Sequence, residues 1–435
     1  MYCPIDEIET GALNVEATKE DKDRLRSLAE RFRAAADSDV MKERRQGWKN
    51  KNDLQAGYPM IYAPAGDSIG FITPDEIKCT NRYLINVEMM MLMQIKQFDI
   101  CEDDIVLEPH YSLAWSVFKP DYGPDIKVEM VANPQTRANV PVHPIHDVED
   151  LKKLQPRDFY VDRERTLDFQ NTLNDIFGDI LPVYAEGIFP FNADPGLPAQ
   201  GLYWPAITYD AFLLVGNDNL MTWPFDEPDA LRWLIDFISE DRQRYLKWII
   251  DERLALSNND NQGNAPCQLG YVSDLPPFSH EPLTTLMDSW GWVESQETMI
   301  VSPEMFAEFY LPALSKWGNS FGMLSYSCCE QIHDRVGLIR DNFPKLRNLT
   351  IAPWTNREQV YKEMGTGFAY TVKAHPSYLS GKEPNWEAAE KDIQHAYDCY
   401  KDAPLSFGFF EVFDINNDPT RQAQWSRMVK KIIGR

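Results

Sequence analysis

The chain has 435 residues, of which 43% are hydrophobic and 25% charged. That is enough apolar material for a sizeable core, and it excludes a wholly disordered chain. The formal net charge of −24, from 67 acidic and 43 basic side chains, disfavours nucleic acid and anionic lipid as partners, although acidity also simply keeps a protein in solution.

The first twenty residues read as an irregular, polar and acidic leader without the apolar segment of a signal peptide. Asp21 to Ala36 has helical spacing, with Leu25, Leu28 and Phe32 on one stripe. The basic stretch MKERRQGWKNKNDLQAGYP follows and is expected to cap one end of the main domain. From Tyr58 onward short β-rich runs alternate with helical ones. The expected strands are PMIYAPA, DIVLEPHYSLAW, IKVEMVA, ILPVYAEG, AFLLVG, CQLGYVS, GMLSYSC, NLTIAP, FAYTVKA and LSFGFFEVF. The expected helices span Pro74–Lys96, Pro228–Leu254, Pro303–Trp317, Asn356–Gly365, Trp386–Tyr400 and Asp418–Ile433. Thr73 before Pro74 and Ser302 before Pro303 supply N-caps with proline at the first helical position. Two long proline-rich segments, FPFNADPGLPAQGLYWPAITYD and SDLPPFSHEPLTTLMDSWGW, read as lids or substrate loops.

After residue 300, helices and strands alternate with short connections. This order implies parallel strands joined by right-handed crossovers. The expected fold is an α/β (β/α)8 TIM barrel, with an open doubly wound sheet as the alternative. Residues 1–57 form a largely helical extension in this reading, and residues 58–435 the barrel. GxGxxG and GxxxxGK[ST] are both absent, which argues against classical dinucleotide and P-loop sites. Five of the seven cysteines (Cys3, Cys79, Cys101, Cys267 and Cys399) are scattered, and only Cys328 and Cys329 are neighbours. That is no disulfide framework. No apolar run reaches the ~18 residues of a membrane span. The expected location is therefore a reducing cytoplasm.

In such a barrel, chemistry gathers at the C-terminal ends of the strands. Those positions carry Glu186, then Cys328 and Cys329 with Glu330, then Lys373 with His375, and Glu411 with Asp414. The long loops add Asp194, Asp274, His280, Asp288, Glu294 and Gln296. Thiolates are strong zinc ligands, and Cys329, nearer the loop, is the better single candidate. Two small buried thiols packed as hydrophobes are the plainer alternative. Glu411 follows the apolar run LSFGFF, so its carboxylate must be paired, metal-bound, uncharged or at a solvent-facing rim. Lys373 is either a base and substrate-anion partner or half of a structural ion pair. GLYWPAITYD, MTWPFD and DSWGWVES bring many rings into the loops, and an apolar pocket lined by them suits a flat aromatic substrate.

Five stretches of the C-terminal half resemble the uroporphyrinogen decarboxylase superfamily. They are DSWGWVESQETMIVSPEMFAEFYLP, GMLSYSCCEQIHDRVGLIRD, NLTIAPWTNREQVYKEMG, YTVKAHPSYLS and EVFDINNDPTRQAQW, with ERRQGWKNKNDL as a similar lead-in. The resemblance implies a TIM barrel and one of two activities: decarboxylation, or methyl transfer involving a cobalamin-binding protein. The arginine-rich motif of the true decarboxylases is absent, and the acidic chain suits a polycarboxylate substrate poorly. The methyltransferase branch carries His-x-Cys at one strand end and a later Cys. The matching positions here are Ser327, Cys328 and Cys329, with Glu411 at the late position. The chain is thus similar to the corrinoid-dependent O-demethylase methyltransferases. That likeness implies Zn²⁺ held by Cys329, Cys328 and Glu411, with Glu294, Lys373 and Glu186 as catalytic residues. It also implies an aryl methyl ether substrate, a Co(I) corrinoid carried by a separate cobalamin-binding protein, and a homodimer. The alternatives are a metal-independent decarboxylase or lyase of the same superfamily, and a non-catalytic ligand-binding barrel.

Overall fold

A computed structural model describes residues 10–55, 57–66, 68–130, 139–189, 195–199, 203–326 and 328–435. Its strands are β1 (Met60–Tyr62), β2 (Tyr111–Phe118), β3 (Lys127–Met130), β4 (Asn139–Val142), β5 (Tyr160–Asp162), β6 (Val183–Ile188), β7 (Trp290–Val293), β8 (Met323–Tyr326), β9 (Leu346–Ile351), β10 (Ala369–Lys373) and β11 (Leu405–Gly408). Six of them form one parallel sheet in the order β1-β11-β10-β9-β8-β7. Parallel β2 and β6 form a second ladder, with β5 antiparallel on its edge, and β3 pairs with β4.

The fold is thus α/β with a six-stranded parallel sheet and many helices. The ladders of the described residues do not close into a ring, which departs from the expected continuous barrel. The reason lies at two seams where side chains stand in for strand pairing. Beside β1, the Asp104 amide donates to Ile61 O at 2.7 Å. The Ile61 and Ala63 amides donate to the carboxylates of Asp104 and Asp103 at 2.8 and 2.7 Å. Beside β7, the Asn258 amide group accepts from Trp290 N at 2.9 Å and donates to Trp290 O at 3.0 Å. A side-chain amide there makes the two bonds a neighbouring strand would make.

The inner face of the large sheet holds a polar layer. Thr371 on β10 stands opposite Thr350 on β9 and Ser406 on β11. Gln268 donates to Thr350 at 2.8 Å, and Lys51, from the helix Asp39–Asn52, donates to Asn348 and Thr371 at 2.6 and 3.1 Å. Lys373 lies two residues beyond Thr371 and therefore on the same face.

The first helix, Lys19–Ala36, is closed by a Thr18–Asp21 capping box and buries Leu25, Leu28 and Phe32, the expected stripe. Trp386–Tyr400 has the expected bounds. The expected helix from Pro74 divides in two. Thr73 and Glu76 cap only a 3-10 turn, Lys78 N and Cys79 N then bond the Glu88 carboxylate, and Asn81 caps a new helix over Arg82–Ile100. AFLLVG is helical, within Ile207–Asp226, and is kinked at Gly216 where φ is +76°. CQLGYVS is irregular, and WGWV, expected in a loop, is β7. No described helix is long and apolar enough to cross a membrane.

Candidate active site

Cys328, Cys329 and Glu330 follow β8, Lys373 ends β10, and Glu411 lies just past β11. In the sheet β10 lies beside β11 and two places from β8. The segments after β8 and β11 converge on Lys373, so residues 82 apart in sequence meet. The Cys329 thiol donates to Glu411 Oε1 at 2.8 Å and lies 3.3 Å from Cys328 Sγ. Lys373 Nζ donates to Cys329 Sγ at 3.0 Å and to Cys328 O at 2.9 Å, and lies 3.6 Å from Glu411 Oε2. Burial pulls the Lys373 ammonium down, but the two thiols and Glu411 outweigh it and hold its pKa above the ordinary lysine value. The hydrogen bond to Cys329, with burial, pushes the Cys328 thiol well up.

Glu411 has φ +59°. A left-handed backbone costs a non-glycine residue about 1–2 kcal/mol, and such positions concentrate where geometry serves a site. Here it turns the chain beyond β11 so that the carboxylate reaches Cys329. Glu330 serves as a brace. It accepts from Cys328 N at 2.8 Å and from Ser295 N at 3.0 Å, joining the loop after β8 to the loop after β7.

That second loop carries Glu294. Its carboxylate accepts from Trp204 Nε1 at 3.1 Å and from Gln296 N at 3.1 Å, and it is 3% exposed. Burial, then the like charges of Glu297 and Glu330, raise its pKa well above the carboxylate range. Glu297, bonded by Thr208 at 2.7 Å, is raised to about 7, chiefly by burial. The Trp204 ring stacks on Trp292 at 5.8 Å and meets Tyr209 at 5.3 Å. A buried carboxyl whose surroundings favour its protonated form therefore sits beside a group of rings.

Glu186, expected at a strand end, lies within β6, two residues before Ile188 ends the strand, and belongs to a different cluster. It accepts from Ser112 Oγ at 2.5 Å, pairs with His280 Nδ1 at 2.7 Å, and faces His110 Nε2 at 3.9 Å. Burial raises its pKa against these bonds. His110 and Ser112 were not singled out from the sequence. A lone histidine in EPHYSL carries no local signal, and only the β2–β6 pairing brings it to Glu186. Ser327 and Asp194 lie outside the described residues. His333 accepts from Asn356 N, His375 bonds Ser377, and Asp274 pairs with Arg347. None of these contacts involves the Cys329 group.

The chemistry of two sulfurs and a carboxylate fits zinc, whose Zn–S bonds are about 2.3 Å and whose catalytic sites take three protein ligands. Cys329 stands between the other two donors. The groups whose donor atoms all lie within 4.8 Å of one another, among the described residues, are His110–Glu186–His280 and Glu358–His395–Cys399. Zinc between Cys328, Cys329 and Glu411 therefore requires a side chain to swing, and the part-exposed Glu411 has the room.

No protein-family model matches the chain, and no curated protein does. A solved structure described as a methyltransferase from Methanosarcina mazei aligns over 88% of this chain and 98% of its own, with a TM-score of 0.46 and 11% identity. At that similarity, function has to be argued from the side chains.

Proposed function

We propose that this protein is a zinc-dependent methyltransferase that takes a methyl group from an aryl methyl ether, on a barrel of the uroporphyrinogen decarboxylase type interrupted at the two seams. The observation that carries the reading is the meeting of Cys329 Sγ with Glu411 Oε1 at 2.8 Å and Cys328 Sγ at 3.3 Å, beside Lys373. Cys329, Cys328 and Glu411 are the residues that would hold the metal. Bound there, zinc supplies Lewis acidity to the ether oxygen, and a Co(I) corrinoid on a separate cobalamin-binding protein supplies the methyl acceptor.

The chain's own residues do the remainder. Trp204, part-buried and stacked on the buried Trp292, offers a flat apolar face to an aromatic ring. The methyl carbon–oxygen bond breaks with its electron pair left on oxygen. Glu294, whose burial favours the protonated form, donates the proton that completes the phenol. Lys373 holds positive charge beside the sulfurs and steadies anionic character at the oxygen.

One observation favours a second reading, a metal-independent lyase. Lys373 already places a cation 3.0 Å from Cys329 Sγ and 3.6 Å from Glu411, where it can balance their charge and bind a substrate carboxylate.

Metal analysis of protein purified without chelator separates the two readings. The methyltransferase requires near-stoichiometric zinc that is lost in Cys329→Ala and Glu411→Ala. It also requires turnover of a methoxylated aromatic only when a reduced corrinoid protein is supplied. Zinc and activity that survive both substitutions overturn the ligand assignment.

A further inference from the structure

The cluster around Glu186 has a different composition from the thiol site, and its chemistry is separate. Glu186 is 3% exposed in its side chain, and the only ionisable bases paired with it among the described residues are two histidines. Asp260, 2% exposed, adds to the deficit of positive charge. Its Oδ2 has no hydrogen-bond partner, and burial, then the charges of Glu108 and Glu186, push its pKa well up. An ionised carboxylate buried without a fixed cation is costly, and a cation from outside removes that cost.

The donors are also held in place. His280 stacks on Tyr184 at 3.7 Å with ring planes 17° apart, and His110 stacks on Phe278 at 5.8 Å and 7°. Ser112 fixes the carboxylate through Oε1. The ligand atoms lie within 4.8 Å of one another, with Glu186 Oε2 2.7 Å from His280 Nδ1 and Glu186 Oε1 3.9 Å from His110 Nε2. A tetrahedral ion bound at about 2.1 Å needs donors about 3.4 Å apart, and this spacing lies within the range the three donors already span, from 2.7 Å up to 4.8 Å. His280 is 35% exposed in its side chain, which leaves an approach for solvent or substrate. The other three-residue cluster, Glu358–His395–Cys399, lies on an exposed surface, with the His395 and Glu358 side chains half-exposed or more, so no burial cost there calls for a cation.

We infer that His110, Glu186 and His280 form a second metal site, specific for a first-row divalent cation and distinct from the cysteine site. Two imidazole nitrogens and one carboxylate oxygen, with a position left open, suit Zn²⁺, Fe²⁺ or Co²⁺ rather than Ca²⁺ or a thiophilic ion.

Cobalt(II) titration of chelator-stripped protein tests this, because the two donor sets have different spectra. Thiolate ligands give sulfur-to-cobalt charge-transfer absorption in the near ultraviolet, and a nitrogen–oxygen site gives only visible ligand-field bands. The Cys328→Ala/Cys329→Ala double variant is expected to keep one equivalent of tightly bound cobalt with ligand-field bands and no charge transfer. Adding His280→Gln or Glu186→Gln to that background should weaken binding at least tenfold. His280 lies in a part-exposed segment, so its replacement is compatible with folding, and an unchanged circular dichroism spectrum checks this. The inference is overturned if the double-cysteine variant binds no cobalt, or if its binding ignores both further substitutions. Cobalt bound to the parent without any thiolate charge transfer would leave this inference standing and remove the cysteine ligands of the proposed methyltransferase.

Discussion

Lys51 offers a quantitative test of the fold. Its ammonium lies in the polar layer of the large sheet, 3% exposed, and burial lowers its pKa from the ordinary 10.5 to about 7. The folded chain therefore binds fewer protons here than the unfolded chain between pH 7 and 10.5, and stability rises with pH through that window. Below about pH 7 the full shift applies, a penalty of about 5 kcal/mol. At pH 9 the same linkage leaves about 2 kcal/mol. Methionine at this position has similar bulk and no charge. It gives up two hydrogen bonds, to Asn348 and Thr371, worth about 1 kcal/mol each. Asn348 Oδ1 retains Thr371 Oγ1 at 3.4 Å. Lys51→Met should thus exceed the parent in stability by about 3 kcal/mol at pH 6 and match it at pH 9. Urea denaturation of both proteins at the two pH values measures this. Parallel pH dependences for parent and variant would mean that Lys51 is solvated or ion-paired in the folded state, and would refute the reasoning.

Two further outcomes follow from buried charges. Glu297→Gln removes a like charge next to Glu294, so the Glu294 carboxyl gives up its proton more readily; the alkaline limb of the rate profile in the O-demethylation assay should move to lower pH, with an unmoved limb excluding Glu294 as the acid. Arg242 pairs with Asp210, which Tyr122 also bonds, and both members of the ion pair are at least nine-tenths buried. Arg242→Ala strands Asp210 and should cost about 3–5 kcal/mol in chemical denaturation, whereas Arg242→Met with Asp210→Asn should recover most of it.

The legibility of the chain follows the range of the forces involved. Trp386–Tyr400 could be read because its apolar stripe and its Asn385 cap are local. AFLLVG could not, since a short apolar run suits a strand and a buried helix equally, and the helix on which it lies is settled by packing against Pro228–Asp251. WGWV was concealed among prolines because its pairing partner, β8, arrives thirty residues later. At the site, Cys328, Cys329, Lys373 and Glu411 could be collected because parallel strands deliver their ends to one side of the sheet. His110 could not, because its meaning depends on Glu186 and His280, which are brought to it only by tertiary structure. The seams were equally hidden, since nothing in a lone aspartate or asparagine announces that it will replace a backbone neighbour.

Those seams have a consequence for how this protein can vary. A hydrogen bond between two main chains survives almost any substitution, because every residue except proline carries the same amide. The joint at Ile61 keeps one such main-chain bond, from Asp104 N, but the Ile61 and Ala63 amides and both main-chain groups of Trp290 depend on three particular side chains, Asp104, Asp103 and Asn258. A single nucleotide change can loosen either joint while leaving all six strands of the large sheet paired. Mutational drift or deliberate engineering therefore has a handle on the width of this scaffold that a fully laddered one does not offer.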